Sequence, residues 1–137
     1  TPSSFILHGF GLANYDGKAS FNPPENPNHV SHTLTDRPST KQQAIEVEVL
    51  KLSTIMNRLG HQHIDILKMD IEGAEYDVVE NIMNSNLNIS QILIEFHHRF
   101  DSMTINDTKN AMKKLNSKNY KVFSISETGE EYSFIKK

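Results

Sequence analysis

The sequence contains no cysteine among its 137 residues. This absence excludes disulfides, thiolate nucleophiles and cysteine-based zinc sites, and it fits a cytoplasmic protein. No apolar run approaches the length of a membrane span, and no secretory signal pattern opens the chain. The formal net charge is −3, and the lysines are scattered rather than gathered in a basic stripe. We therefore expect a protein with no membrane span and no nucleic-acid partner.

Proline is absent after residue 38, and all five prolines lie within the first 38 residues. Residues 4–13, SFILHGFGLA, predict a short buried strand that runs into a glycine-containing turn. NYDG at 14–17 is a turn signal, and the KASF that follows predicts a returning strand. Residues 21–40 have no hydrophobic period and are rich in Pro, Asn, Ser and Thr. They predict a long irregular loop.

From residue 44 the hydrophobic pattern becomes regular. AIEVEVL alternates as a half-exposed strand does, and the apolar residues after it have helical spacing up to Gly60. Two continuous apolar runs, IDILKM and QILIEF, predict buried strands, and helical stripes follow each of them. The predicted order is β-α-β-α-β-α-β-β. It indicates an α/β fold with a mostly parallel sheet, helices on both faces and an antiparallel C-terminal hairpin.

Acidic and imidazole side chains follow two of these strands at the point where each strand ends. Asp70 and Glu72 come after IDILKM, whereas Glu95, His97 and His98 lie at the end of QILIEF. Strands joined by one helix usually lie side by side, so these side chains should converge at one rim of the sheet. A carboxylate that ends a buried strand requires a donor or a cation. Adjacent strand residues point to opposite faces, so we expect at most one of the two histidines to face the site.

Some of these side chains also have a structural interpretation. Glu72 and Glu75 fall in the first turn of a predicted helix, where carboxylates interact favourably with free N–H groups and the helix dipole. We therefore expect Glu75 to stabilise the helix start. Lys68 lies two residues before Asp70 on the same strand face, where it could contact a ligand or extend its amine into solvent. The sequence contains neither a G-x-G-x-x-G motif nor a P-loop.

The segment IDILKMDIEGAEYDVV resembles the D-[IV]-E-G-x-E segment of the FkbM-type methyltransferases. GLANYDGKASFNPPENPNHVSHTL, QILIEFHHRF and NYKVFSISETGEEYSFIKK are similar to other parts of that family, so the resemblance covers nearly the whole chain. It implies a Rossmann-like methyltransferase three-layer sandwich, S-adenosylmethionine as cofactor, and methylation of hydroxyl groups on sugars, polyketides or similar small molecules.

The resemblance also implies roles for single residues. Asp70 would lie near the methyl donor and acceptor, and Gly11, Leu12 and Ala13 would lie in a loop that approaches the adenine ring. The family's glycine-rich turn and its strand-ending acid that binds ribose have no counterpart in these residues. We therefore expect residues 1–137 to be the C-terminal portion of one methyltransferase domain, beginning at its third strand. Unpaired strand edges would then favour a homo-oligomer.

For the chemistry, we expect Asp70, Glu95 and His97 to accept the proton of the acceptor hydroxyl and to orient it. The expected acceptor contacts are Lys68, Glu72 and His98. In a metal-assisted version, the carboxylates would hold Mg²⁺ and lower the hydroxyl pKa. We prefer the metal-free version, because Glu72 has the competing role at the helix start. Two rival functions remain open: a non-catalytic module used for binding or assembly, and a metal-dependent hydrolase using the same carboxylates.

Overall fold

The computed structural model describes residues 4–21, 45–71, 73–97 and 104–137. From Ile45 onward, strands and helices follow the order that the sequence predicts. The elements along the described chain are β1 (Gly11–Leu12), β2 (Gly17–Phe21), β3 (Ile45–Leu50), α1 (Leu52–Leu59), β4 (Ile64–Met69), α2 (Glu75–Asn84), β5 (Ile89–Glu95), α3 (Ile105–Ser117), β6 (Tyr120–Ile125) and β7 (Glu131–Lys136).

These strands form two sheets, with the orders β1-β3-β2 and β4-β5-β7-β6. Among the described strands, only β1–β3 and β4–β5 pair in parallel, whereas β2–β3, β5–β7 and β6–β7 are antiparallel. The expectation of a mostly parallel sheet is therefore wrong for the described residues, and the fold is mixed α/β. The reason is that β7 lies between β5 and β6 and runs antiparallel to both, so the C-terminal hairpin contributes two antiparallel pairings.

The strand expected over residues 4–13 is also wrong for most of its length. Only Gly11 and Leu12 form a strand, β1, paired in parallel with β3. Phe5, Ile6 and Leu7 are 59%, 72% and 83% exposed. No strand in the described part of the chain pairs with residues 4–10, so their backbone groups lack the ladder that an extended segment requires. Of the predicted loop, the first residue, Phe21, ends β2, and residues 22–40 lie outside the described residues.

One hydrophobic core joins the three helices to the inner face of the four-stranded sheet. Alternate residues of β5 point into it, and α2 presents the apolar stripe that its spacing predicts. Each fully buried Ile or Phe side chain contributes about 1.5–3 kcal/mol to folding. The buried residues that line this core include Met56, Met69, Val78, Val79, Ile82, Ile92, Ile94, Phe96, Leu115 and Phe134.

The outer face of the same sheet has a different character. Ile66 on β4 and Ile135 on β7 are 57% and 37% exposed, and no helix that the structure describes covers them. Side chains from α1, α2 and α3 all belong to the core on the inner face. Helices on both faces were expected, and this is wrong for the residues described.

Candidate active site

Two parallel strands bring the predicted site residues together. β4 and β5 pair in register from Ile64 opposite Ile89 to Met69 opposite Ile94, so both strands end at the same edge. Asp70 follows β4, whereas Glu95 is the last residue of β5 and His97 comes two residues later. We call Asp70, Glu95 and His97 the acceptor rim.

The rim atoms are close enough to act on one small group. His97 Nε2 lies 3.7 Å from Asp70 Oδ1 and 4.0 Å from Glu95 Oε1, and one ligand atom of each residue lies within 4.8 Å of the others. Glu95 and His97 are two residues apart and therefore point to the same side of the extended chain, while Phe96 between them is buried in the core. This spacing suits a hydroxyl group, and it would equally suit a divalent cation.

Glu75, a buried acid for which the sequence predicts a role at the helix start, contacts His97. Glu75 Oε1 lies 2.7 Å from His97 Nδ1, and Glu75 is 0% exposed. The sequence carried a signal for this burial. Glu75 precedes Val78, Val79 and Ile82 by three, four and seven residues, so the acid lies on the apolar stripe of α2.

The turn between β4 and α2 also donates hydrogen bonds to Glu75. The backbone N–H of Ile71 donates to Glu75 Oε1 at 3.2 Å, and that of Gly73 donates to Oε2 at 3.0 Å. Gly73 has φ of 100°, a conformation that a residue with a side chain would adopt only under strain. The expected role of Glu75 at the helix start is thus visible, together with the contact to His97 that was not expected.

The rim is dominated by negative charge. Burial and the neighbouring Asp70 carboxylate raise the pKa of Glu95, and the charge of Lys68, with that of His97 when the imidazole is protonated, opposes that rise. A carboxyl whose pKa is raised retains protons more readily than an ordinary glutamate, and such groups are frequent at functional sites. This arrangement can accept a proton from a hydroxyl or orient one.

Lys68 is the predicted acceptor contact that the structure places near the rim. It lines a cavity of about 230 Å³ on the outer face of the sheet, together with Glu95 and the hydroxyl residues Ser124, Ser126 and Ser133. The other two predicted contacts, Glu72 and His98, lie outside the residues that the structure describes.

Gly11 and Leu12 do not lie in a loop, contrary to expectation, and Ala13 follows them directly. Gly11 and Leu12 form β1, and the backbone N–H of Ala13 donates to the carbonyl of Leu50 at 2.9 Å. This pairing with β3 extends the ladder through Ala13, which is buried. A role for these three residues in cofactor binding stays a prediction.

None of the described helices is both long enough and apolar enough to cross a membrane.

Comparison with known proteins finds a family model that matches most of the chain. The methyltransferase FkbM domain matches residues 3–122. The human protein named probable methyltransferase-like protein 24 is 30% identical over 111 residues, which are 73% of this chain and 30% of the human protein. Its rat counterpart is 30% identical over 83 residues, which are 53% of this chain and 23% of the rat protein.

A third relative is the AMB antimetabolite synthetase AmbE of Pseudomonas aeruginosa. It is 30% identical over 77 residues, which are 56% of this chain and 4% of that protein. The chain therefore spans less than a third of the length of these curated relatives. No solved structure matches the chain.

Proposed function

The chain belongs to the methyltransferase FkbM domain family, and we propose that it contributes the acceptor side of an S-adenosylmethionine-dependent O-methyltransferase. The acceptor in this proposal is a hydroxyl group of a sugar, a polyketide or a similar small molecule. Residues 1–137 would be the C-terminal portion of a single methyltransferase domain. The observation that carries the proposal is the convergence of Asp70, Glu95 and His97 at the ends of two parallel strands.

In this mechanism the described residues act on the acceptor hydroxyl. S-adenosylmethionine would supply the methyl group as a sulfonium electrophile. The described residues include neither the glycine-rich turn nor the ribose-binding acid that the family resemblance implies, so they form no recognisable cradle for this cofactor. Residues outside the described ranges would hold most of the cofactor.

The rim would act on the hydroxyl in two ways. Holding the oxygen in a near-attack position can lower the barrier by roughly 7–11 kcal/mol at best. Accepting its proton typically adds about 10²–10⁴ in rate, and imidazole is the group best matched to neutral pH. His97 Nε2 is the proposed proton acceptor, and Asp70 and Glu95 on either side would orient the hydroxyl.

The cavity beside Glu95 supports a polar acceptor. Its wall carries the hydroxyls of Ser124, Ser126 and Ser133 and the ammonium of Lys68. Hydroxyls donate and accept hydrogen bonds, as the hydroxyls of a sugar do, and the ammonium donates. We propose Lys68 as an acceptor contact at this cavity, with Glu72 and His98 as further contacts.

Substitutions in the intact protein test this function. We expect Asp70→Asn, Glu95→Gln and His97→Ala each to lower methyl transfer by roughly 10²-fold or more, because each removes a group that handles the hydroxyl proton. Transfer would be measured with radiolabelled S-adenosylmethionine against a panel of monosaccharides and polyketide lactones. The matched control is Asp65→Asn, on the same strand β4, whose side chain is 95% exposed.

The control should keep full activity, and all four variants should fold as the wild type does. Full activity in both Asp70→Asn and Glu95→Gln would rule out the rim as the site.

Metal removal separates the two versions of the chemistry. We expect methyl transfer to persist after treatment with a chelator, because His97 can accept the proton without a cation. Activity that disappears on chelation and returns with Mg²⁺ would favour the metal-assisted version, in which the rim carboxylates lower the hydroxyl pKa through the ion.

A further inference from the structure

Glu75 is the most deeply buried ionisable side chain in the described part of the chain. An ionised carboxylate without solvent requires hydrogen-bond donors or a cation. The backbone N–H groups of Ile71 and Gly73 are two such donors, and the third contact is His97 Nδ1 at 2.7 Å. These contacts come from the turn before α2 and from the segment after β5, and Glu75 itself is the first residue of α2, so it connects three parts of the site.

The hydrogen-bond pattern determines where the imidazole proton lies. A backbone N–H can only donate, so both oxygens of Glu75 act as acceptors toward the turn. An ionised Glu75 must also be the acceptor toward the ring, which places the proton of a neutral imidazole on Nδ1. The lone pair is then on Nε2. That nitrogen lies 3.7 Å from Asp70 Oδ1 and 4.0 Å from Glu95 Oε1, on the side of the acceptor rim.

We propose that Glu75 is a positioning residue that holds His97 as the Nδ1–H tautomer and aims Nε2 at Asp70 and Glu95, the other two members of the acceptor rim. The consequence for catalysis rests on the proposed function, because it assumes that Nε2 accepts the hydroxyl proton. The tautomer itself does not depend on that function. The last acid of the D-I-E-G-A-E motif thus acts through the histidine two residues beyond Glu95, as well as at the helix start.

The tautomer can be read directly in the intact protein. Two-bond ¹H–¹⁵N correlation spectra of protein labelled with ¹⁵N-histidine distinguish a protonated ring nitrogen from an unprotonated one. The resonances of His97 would be identified by their absence in His97→Gln. We expect the neutral His97 ring to carry its proton on Nδ1. A proton on Nε2 instead would mean that Glu75 is protonated and donates to the ring, and it would overturn the proposal.

A matched pair of variants separates positioning from a role in folding. Glu75→Gln removes the negative charge beside His97, whereas Asp77→Asn removes an exposed charge from the same first turn of α2. We expect Glu75→Gln to lower kcat by roughly 10²-fold with KM nearly unchanged. We also expect it to populate the Nε2–H tautomer of His97. Asp77→Asn should change neither quantity.

The outcomes distinguish this inference from the proposed function. If the rim variants lose activity and Glu75→Gln retains wild-type kcat, the function stands and the positioning role is wrong. If the rim variants remain active while His97 is the Nδ1–H tautomer, the positioning is right and the proposed function is wrong. Should Glu75→Gln fail to fold, the wild-type spectrum alone still decides the tautomer.

Discussion

Glu95 occupies a position that favours its protonated form. Its carboxylate lies beside Asp70 on the neighbouring strand and opposite Glu131 on β7, and its pKa is raised chiefly by burial. Since folding raises this pKa, folding favours the protonated acid. The ionised acid is therefore a cost to the folded state at neutral pH. A carboxylate retained at such a cost is expected where it handles protons or ligands.

Glu95→Gln should therefore raise the stability of the protein at pH 7. A glutamine has the same shape but no charge to desolvate or to repel Asp70. Because the raised pKa makes the wild type relatively more stable at low pH, the advantage of the variant should shrink as pH falls. It should vanish below about pH 4.3, the ordinary pKa of a glutamate.

Melting temperatures measured between pH 4 and pH 8 would show this trend. Glu127→Gln, at an exposed position of the turn after β6, is the control and should show no such gain. A variant at Glu95 that is less stable than the wild type at pH 7 would show that the carboxylate is held by favourable contacts.

At the scale of the elements, the start of helix α1 is hydrogen-bonded to a side chain that is distant in sequence. Asp16 Oδ1 accepts the backbone N–H of Lys51 at 2.8 Å, and its Oδ2 accepts the Thr54 hydroxyl at 2.9 Å. Both hydrogen bonds favour the ionised acid and lower the pKa of Asp16. The turn before β2 is thereby joined to the start of α1, which the sequence alone did not show.

Asp16→Ala should loosen α1 selectively. The variant leaves the N–H of Lys51 without its acceptor, so amides in the first turn of α1 should exchange with solvent faster. The reciprocal control is Asp107→Ala, because Asp107 accepts the backbone N–H of Thr104 at the start of α3. Hydrogen exchange followed by mass spectrometry should show faster exchange in α1 for the first variant and in α3 for the second. Equal exchange in α1 with and without Asp16 would contradict the expectation.

Elements with a clear hydrophobic period were predictable from sequence. The stripe of α2 and the run of β5 indicate both the type of element and which of its residues are buried, because the spacing of apolar residues alone carries that information. Residues 4–10 show where prediction from the sequence pattern fails. Their apolar sequence favours a strand, but a strand also needs a partner for its backbone groups, and a local pattern carries no information about that partner.

The site, too, was predictable from the sequence only in part. Asp70, Glu95 and His97 could be expected together, because consecutive parallel strands end at one edge. The bond between Glu75 and His97 joins a helix start to a strand end, and its partners are 22 residues apart. The apolar stripe indicates that Glu75 is buried, but no spacing rule names the donor that a buried acid finds.

At the scale of the whole molecule, the four-stranded sheet has an open edge and an open face. β4 is the first strand in its sheet order, so one of its edges pairs with no strand in the described ranges. Ile66 on this strand is 57% exposed. Unpaired backbone groups beside exposed apolar side chains form a template for another strand. The family resemblance implies that β4 is the family's fourth strand, and that the family's first strand, which the described residues do not include, would pair at this edge.

The last prediction concerns the 137-residue chain on its own. We expect it to bind S-adenosylmethionine negligibly, because the glycine-rich turn and the ribose-binding acid implied by the family are not in its sequence. We also expect it to self-associate through β4, and Ile66→Lys should reduce that association by placing a charge on the edge strand. Light scattering would measure the association and calorimetric titration the affinity, with the full-length protein as the binding control. A monomeric 137-residue chain with micromolar affinity for the cofactor would contradict both expectations, because it would show that the open edge and the missing cradle have no consequence.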